Sequence, residues 1–504
     1  MKLLLNFILA FCLLTTAGCM VGPDYKPPET KVPEAWNGQE VVTPDTPSKT
    51  NLNPADLVGW WNQFKDLTLS SLVDLAIRAN LDLRQAEARI RQARAALGVA
   101  GAPLYPEVDA TLLFQRSSRA PSQLISSPTG VGAVVGPSGL ITGPFTQLFQ
   151  VGGSSSYQID VFGGIRRNLE AAGADLMASV EDRRDVLVTL VGEVGNNYLS
   201  LRGFQQQLAV ARKNLVAQKK TAAIIRRRFE AGTVSKLDLA NAEAQVATTA
   251  AQIPTLESQI RAAIYALGVL LGREPAVLEK DLIKEGPIPP NPPEVPVGLP
   301  SELIRRRPDI RRAEAQLHAA TARIGVATAD LFPKFSLTGS FGISSSDLTK
   351  LGNIADNKFW SFGPSVTWPI FAGGRIWWNI KVQDALAEQA LLTYQKAVLT
   401  ALQDVETALV AYAKEQDRRK ALVEAVNNNR QAVDLAMKLY TAGKTDFLNV
   451  TTAQLNLYTT ENALAQSTAA VDTDLIALYK ALGGGWEQAP LLPVVKEKVA
   501  EKKP

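Results

Sequence analysis

From Gly374 to Leu482 the chain holds no proline and, before Gly443, no interior glycine. Apolar residues recur there three and four apart, at Leu391, Tyr394, Val398, Leu402, Val405, Leu409 and Tyr412, then at Leu422, Val426, Val433, Met437 and Tyr440. That spacing is a coiled-coil seam. Arg375 to Ala442 is 68 residues, so an unbroken helix would be roughly 100 Å long at 1.5 Å per residue. Few globular domains could contain it. At 442–446 the run Ala-Gly-Lys-Thr-Asp reverses the chain, because Gly443 can take the positive φ that ends a helix. A second apolar-periodic run, Phe447 to Leu482, returns alongside the first.

The chain carries this hairpin twice. Phe229-Glu230-Ala231-Gly232 with Leu237-Asp238-Leu239 matches Tyr440-Thr441-Ala442-Gly443 with Leu448-Asn449-Val450 at an offset of 211. Asn80 to Pro106 matches Arg307 to Pro333 at an offset of 227, with 13 of 27 positions identical. A duplicated unit constrains the fold more than composition does. Although 504 residues would ordinarily suggest two to four domains, the repeat argues for one architecture in two similar halves.

Formal charge is +4 on 102 charged residues, and no basic run is interleaved with aromatics, so nucleic acid is not expected as a partner. The start reads as an export signal over 1–18: Lys2, an apolar core from Leu3 to Leu14, then Thr15-Thr16-Ala17-Gly18-Cys19. It resembles a bacterial lipobox, with Thr16 in place of the usual leucine. The resemblance implies that Cys19 becomes the lipidated N-terminus, and Met20 rather than Asp after it implies sorting to the outer membrane. Loss of Cys12 with the signal leaves one cysteine and no intramolecular disulfide. The alternative is a plain signal peptide with an incidental cysteine. No other apolar run approaches the ~20 residues of a membrane-spanning helix, so a membrane crossing must use β-strands.

Residues 19–70 read as a proline-rich extended tether and an equatorial segment opening at Trp60-Trp61-Asn62-Gln63-Phe64; 71–106 read as a continuing helix through Leu72, Leu75, Leu83 and Ile90. After Pro106 the period changes from helical to alternating. Segment 107–162 is a predicted strand hairpin. Val108, Ala110, Leu112 and Phe114 share one face, a loop runs from Ser117 to about Gln147, and a second strand runs near Ser154 to Phe162 with Tyr157, Ile159 and Val161 in alternation. The long helical hairpin 163–275 follows, then a proline-rich connector, 276–305, with seven prolines between Gly286 and Pro300. The second half repeats the order: helix 306–333, strand hairpin 334–371, helical hairpin 372–483 and a polar, mobile tail, 484–504.

In the second strand hairpin Phe335, Leu337, Phe341 and Ile343, then Trp360, Phe362, Val366, Trp368 and Ile370, alternate with polar residues. One-faced strands of about ten residues are the sequence form of an outer-membrane barrel. Trp360, Trp368, Trp377, Trp378 and Phe371 suit an interfacial aromatic belt. A soluble sandwich with one buried face is the competing reading, and it fits poorly with strands that run into ~100 Å helices. Four strands cannot close a barrel, because lipid tolerates no open edge and the smallest barrels have eight strands. The chain is therefore expected to oligomerise.

Val21-Gly22-Pro23-Asp24-Tyr25, Trp60 to Phe64, Asn80 to Pro106, Leu299 to Glu314 and the two glycine tips together resemble the TolC- and OprM-like outer-membrane factors, the lipoprotein branch of the outer-membrane efflux proteins. The resemblance implies a mixed α and transmembrane-β fold: a homotrimer whose twelve strands, four per chain, form one outer-membrane β-barrel continuous with a long periplasmic α-helical barrel. It implies a passive exit duct for small molecules, working with a periplasmic adaptor and an inner-membrane transporter of the resistance-nodulation-division type, with no catalysis, cofactor or metal. By the same resemblance the adaptor contacts fall at Gly232, Thr233, Val234, Gly443 and Lys444, and the periplasmic gate at Asp238, Leu448, Asn449 and Thr452. Relatives often carry aspartates where this chain has Asn449 or Thr452. A gate closed mostly by packing, with Leu448 as its collar and Asp238 or Asp446 supplying what charge there is, is expected instead.

Other candidates are weaker. Arg305-Arg306-Arg307-Pro308-Asp309 reads as a solvated helix entry. His318, the single histidine, reads as exposed on an alanine-rich helix, and it excludes the usual zinc sites and a Ser-His-Asp triad. Asp404 and Glu406 read as a solvated face. Within the same fold, a protein-secretion or metal-ion duct is an alternative. A lipid-anchored structural coiled coil would leave four amphipathic strands without a use.

Overall fold

The computed structural model describes residues 20–37, 49–51, 57–118, 145–290, 294–296 and 299–487. The signal segment, Cys19, most of the first strand-hairpin loop and the residues after 487 lie outside the described residues. Two compact units are built from alternating stretches of the chain: Met1–Lys26, Ala93–Leu176 and Leu317–Ala390 in one, Pro27–Gln92, Met177–Gln316 and Leu391–Pro504 in the other.

The first unit holds a four-stranded antiparallel sheet. Strands β2 (Glu107–Ser118), β3 (Phe145–Ile159), β5 (Lys334–Ser345) and β6 (Lys358–Thr367) lie in the order β2-β3-β5-β6. The register sorts their side chains. Directly opposed residues share a face, and the rows Leu112–Val151–Ile343, Ala110–Gly153–Phe341–Trp360 and Ile159–Phe335–Val366 fall on one side. Asp109–Ser154–Ser340–Ser361 and Gln158–Ser336–Ser365 fall on the other. The apolar side is uncovered within the chain: Leu112 is 80% and Trp360 78% exposed. Phe114 stacks on Phe149 across β2 and β3 at 4.8 Å. Three strand boundaries differ from expectation. Strand β3 begins at Phe145, well before Ser154, because β2 supplies a partner for each residue back to Ser118; it ends at Ile159, leaving Val161 outside. Trp368 and Ile370 also lie beyond β6.

Residues 20–25 form a strap across this unit. The Val21 amide donates to the Phe162 carbonyl at 3.2 Å, and the buried Arg167 donates to the Val21 and Gly22 carbonyls and to Asp24 at 2.6 Å. Tyr25 stacks on His318 at 4.3 Å, and the His318 ring hydrogen-bonds Glu170 at 3.0 Å. His318 is therefore a half-buried contact of the strap and not the solvated side chain expected from its helix.

Four long helices carry the two hairpins. Helix α3 (Gly164–Glu230) turns into α4 (Lys236–Leu270), and α7 (Arg375–Thr441) into α8 (Phe447–Ala481). They are preceded in each half by a helix pair, α1 (Leu67–Ala79) with α2 (Leu81–Gly101), and α5 (Pro300–Arg306) with α6 (Pro308–Ala329). One continuous helix was expected from Leu72 to Ile90. The chain breaks it at Asn80, where ψ is 136°. The repeat-equivalent Arg307 breaks its own half in the same way, at ψ 123°. Asn80 caps α2 through the Leu83 amide while its side-chain amide donates to the Leu270 carbonyl; Arg307 is pushed out of helix by Pro308.

The core of the second unit lies where these breaks meet the hairpin bases. Trp60 stacks on Tyr479 at 5.0 Å and meets Trp61 edge-on at 5.9 Å, all three buried. The N-terminal segment is more than a tether: Trp36 joins this core, and β1 (Lys49–Asn51) pairs in parallel with β4 (Glu294–Pro296) in the proline-rich connector. Nor is the start of the tail mobile. Gly485 packs on Trp60 and Trp61, the Trp486 ring lies under the Arg184 and Arg311 guanidiniums at 4.4 and 5.8 Å, and Glu487 pairs with Arg306.

Buried charge is answered by more charge. Arg307 donates to Asp309, to Asp404 at 3.0 Å and to the Ala481 carbonyl. Glu406 accepts the Asn37 amide at 2.9 Å. Arg306, Arg307 and Asp309 of the helix entry, and Asp404 and Glu406, are thus engaged in tertiary contacts, while Arg305 remains exposed, because the chain fold brings 307, 404 and 481 together across a helix break. Replacing Trp60 by Ala removes the centre of this core and is expected to cost about 3–5 kcal/mol, read as a lowered denaturation midpoint in detergent.

Candidate functional site at the hairpin tips

Both long hairpins turn on a glycine. Gly232 and Gly443 each have φ of 70°, a conformation that costs an L-residue roughly 1–2 kcal/mol. In each, the glycine amide reaches back three residues, Gly232 to Phe229 and Gly443 to Tyr440. The following amide reaches five, Thr233 to Arg228 and Lys444 to Leu439, both at 2.9 Å. That double bond satisfies the last helix carbonyls.

The return helices begin differently. Ser235 caps α4 in a reciprocal box: its hydroxyl accepts the Asp238 amide at 3.1 Å, and the Asp238 carboxylate accepts the Ser235 amide. In the second hairpin the equivalent positions are Asp446 and Asn449, and no side-chain cap forms; the Asn449 side chain donates to the Thr445 hydroxyl at 2.6 Å instead. Asp446 is exposed and Asp238 is engaged.

The two tips meet. Ile225 and Ala242 of the first hairpin pack with Tyr440, Phe447 and Val450 of the second, and Val234 and Leu239 lie against the cluster. The Tyr440 and Phe447 rings are 5.4 Å apart, and the Arg228 guanidinium lies 4.9 Å over Tyr440. This cation–π contact across hairpins is worth about 0.5–1 kcal/mol at a partly wet site. Of the residues singled out from sequence, Val234 is thus the one in the cluster. Gly232, Thr233, Gly443 and Lys444 form the exposed turns, the Thr233 hydroxyl donating to the Arg228 carbonyl. Leu448 is 64% exposed, while the Thr452 hydroxyl donates to the Leu448 carbonyl at 2.9 Å, an intrahelical bond. Cys19 lies outside the described residues.

Sequence reasoning missed the aromatic clasp itself. Its signal is a break in the repeat: at the offset of 211, Phe447 stands where the first hairpin has Lys236. An aromatic replacing a lysine at the first turn of a helix marks a surface that has become a core.

Farther along the hairpins, Glu461 of α8 is buried and accepts hydrogen bonds from Asn214 of α3 at 2.9 Å and Arg430 of α7 at 2.8 Å, with the Lys213 ammonium at 3.4 Å. Burial pushes its carboxyl up, and the hydrogen bonds from Asn214 and Arg430 outweigh that, holding it below the usual glutamate value. Among the described residues no cluster of three or more His, Cys, Asp or Glu side chains is arranged to hold a metal ion, and no helix is long and apolar enough to cross a membrane.

The sequence matches the outer membrane efflux protein family over residues 72–273 and 299–484. It is 35% identical over 434 residues to the pyoverdine export outer membrane protein OpmQ of Pseudomonas aeruginosa, covering 86% of this chain and 88% of that one. It is 31% identical over 475 residues to the probable outer membrane lipoprotein SilC of Salmonella typhimurium, covering 93% and 96%. The solved structure of the outer-membrane channel OprN superposes with a TM-score of 0.82 at 33% identity, covering 93% of this chain and 100% of that one.

An alanine at Gly443 meets no atom within 4 Å, so its cost is backbone strain alone. Gly443→Ala is expected to destabilise the tip by about 1 kcal/mol, seen as faster amide exchange confined to the second tip.

Proposed function

The chain belongs to the outer membrane efflux protein family, and on that premise we propose that it is the exit duct of a tripartite efflux pump: a passive, gated homotrimer that lets small molecules out. The observation that carries the reading is the sheet. One face is a continuous, uncovered apolar surface, and β2 and β6 each have a single strand neighbour in it. Lipid accepts the apolar face but not the open edges. Three copies supply twelve strands, wide enough to leave a lumen, with the serine- and glutamine-bearing face lining it.

The proposed duct performs no chemistry, and energy comes from an inner-membrane transporter of the resistance-nodulation-division type. Its periplasmic adaptor meets the turns at Gly232, Thr233, Val234, Gly443 and Lys444. A lipid on Cys19 anchors the chain in the outer membrane, next to the strap that residues 20–25 form on the first unit.

The gate lies at Asp238, Leu448, Asn449 and Thr452, and packing closes it. Asp238 is engaged with Ser235, and Asn449 and Thr452 each donate to a neighbour on their own hairpin, so each is already committed to local bonding. Leu448, unpacked within its own chain, is the side chain left to form a collar with its copies. In planar bilayers Leu448→Ala is expected to raise ion conductance well above that of Asp238→Ala, whose main effect is loss of the helix cap, about 0.5–2 kcal/mol. The reverse ranking would refute a packed gate.

A further inference from the structure

Helices α3 and α8 of one protomer meet on a seam that leaves no room for a side chain at Gly195 or Gly203. A Cβ built on Gly203 would stand 2.7 Å from the Ala469 Cβ, and one on Gly195 2.7 Å from the Ile476 Cδ1. Asp472 lies three residues after Ala469 and four before Ile476, on the same face of α8, which places it on the seam between those two close approaches. Opposite that interval α3 carries Leu199, fully buried.

Asp472 is itself 0% exposed, and neither carboxyl oxygen has a hydrogen-bond partner. The contrast with Glu461, eleven residues earlier on the same helix, is informative. There the chain supplies Asn214, Arg430 and Lys213 to a buried carboxylate. At Asp472 it supplies no hydrogen-bond donor, and a buried charge without one is among the costliest groups a protein can hold.

We propose that Asp472 is a proton-controlled latch between the two helical hairpins of a protomer: as a neutral acid it packs within the seam, and on losing its proton it loosens α8 from α3. The charged groups facing it are few. Helix α7 contributes Arg419, the one charge that pulls the carboxyl toward ionisation. Helix α3 presents Gly195, Leu199 and Gly203 there, and Trp60, which also reaches Gly195, adds no charge. On its own helix lies Asp474, pushed up to about 6 by burial and by Glu415 of α7. Burial pushes Asp472 up to about 8, against the pull of Arg419.

A carboxyl whose folded value is raised binds more protons in the packed state than in the open one, so the packed seam weakens as pH climbs from the ordinary aspartate range toward about 8. Above that the loss is complete. The latch concerns packing inside one protomer and stands apart from the duct reading.

The test is amide hydrogen exchange of the full-length protein in detergent between pH 6 and 9, corrected for intrinsic exchange rates, on peptides covering 195–203 and 465–480. In the wild type, protection of both peptides is expected to fall severalfold across that range, while Asp472→Asn, neutral at every pH, stays level. Asp472→Leu, apolar and of similar volume, provides the second neutral variant and is expected to behave the same way. A wild-type seam whose protection does not change with pH, or variants that lose protection in parallel with it, would overturn the latch.

Discussion

Hydrocarbon offers no hydrogen bonds, so a sheet that enters it must satisfy every backbone N–H and C=O with other strands. The four strands here pair in register over ten residues or more, yet β2 and β6 are each bonded on one side only. An apolar face that seeks lipid and two edges that cannot tolerate it are compatible only if other strands complete the sheet. The proposed trimer answers that need, and the long helices that follow β3 and β6 in each half then have copies of themselves as neighbours. The leucines and valines left exposed on α7 and α8, among them Leu399, Leu435 and Leu455, have the same explanation.

Within the protomer, the helices are fixed at two levels by different physics. At their bases a buried aromatic core around Trp60, Trp61 and Tyr479 is bordered by arginines that donate to neighbouring groups. Arg202 donates to Tyr198, Gln205 and the Lys284 carbonyl; Arg307 ties α6 to α7 and to the end of α8. At the tips, a small cluster of five buried side chains and one cation–π contact joins hairpin to hairpin. A few apolar contacts stabilise far less than the base core does. The tips are therefore the part that can move at low cost, which suits a proposed gate and a docking edge.

Much of this was legible in the sequence because it is periodic. The three-and-four spacing gave the long helices, alternation gave the one-faced strands, and the offsets of 211 and 227 showed that each half repeats the other. What periodicity cannot carry is partnership between distant residues. His318 lies on an alanine-rich helix like any solvated residue, and it is Tyr25 of the strap and Glu170 of α3 that engage it. Asp404 and Arg307 read as separate surface charges until the break at Pro308 brings them together. Trp36 sits among prolines and Trp486 beyond the last helix, so neither belongs to a pattern, yet both are packed. At the tips the glycines were visible from their turn chemistry, whereas the Tyr440–Phe447 clasp was hidden because it departs from the repeat. The proposed roles of Leu448, Asn449 and Thr452 rest on the family resemblance and on their local bonding, since the surfaces they would face belong to other copies.

The most direct test of the central claim is the mass of the intact, detergent-extracted particle by native mass spectrometry. Three chains per particle, persisting at concentrations where casual association is lost, are what a shared barrel requires. A particle of one or two chains would leave the edges of β2 and β6 without the strands they need, and would contradict the account of how this chain crosses the membrane.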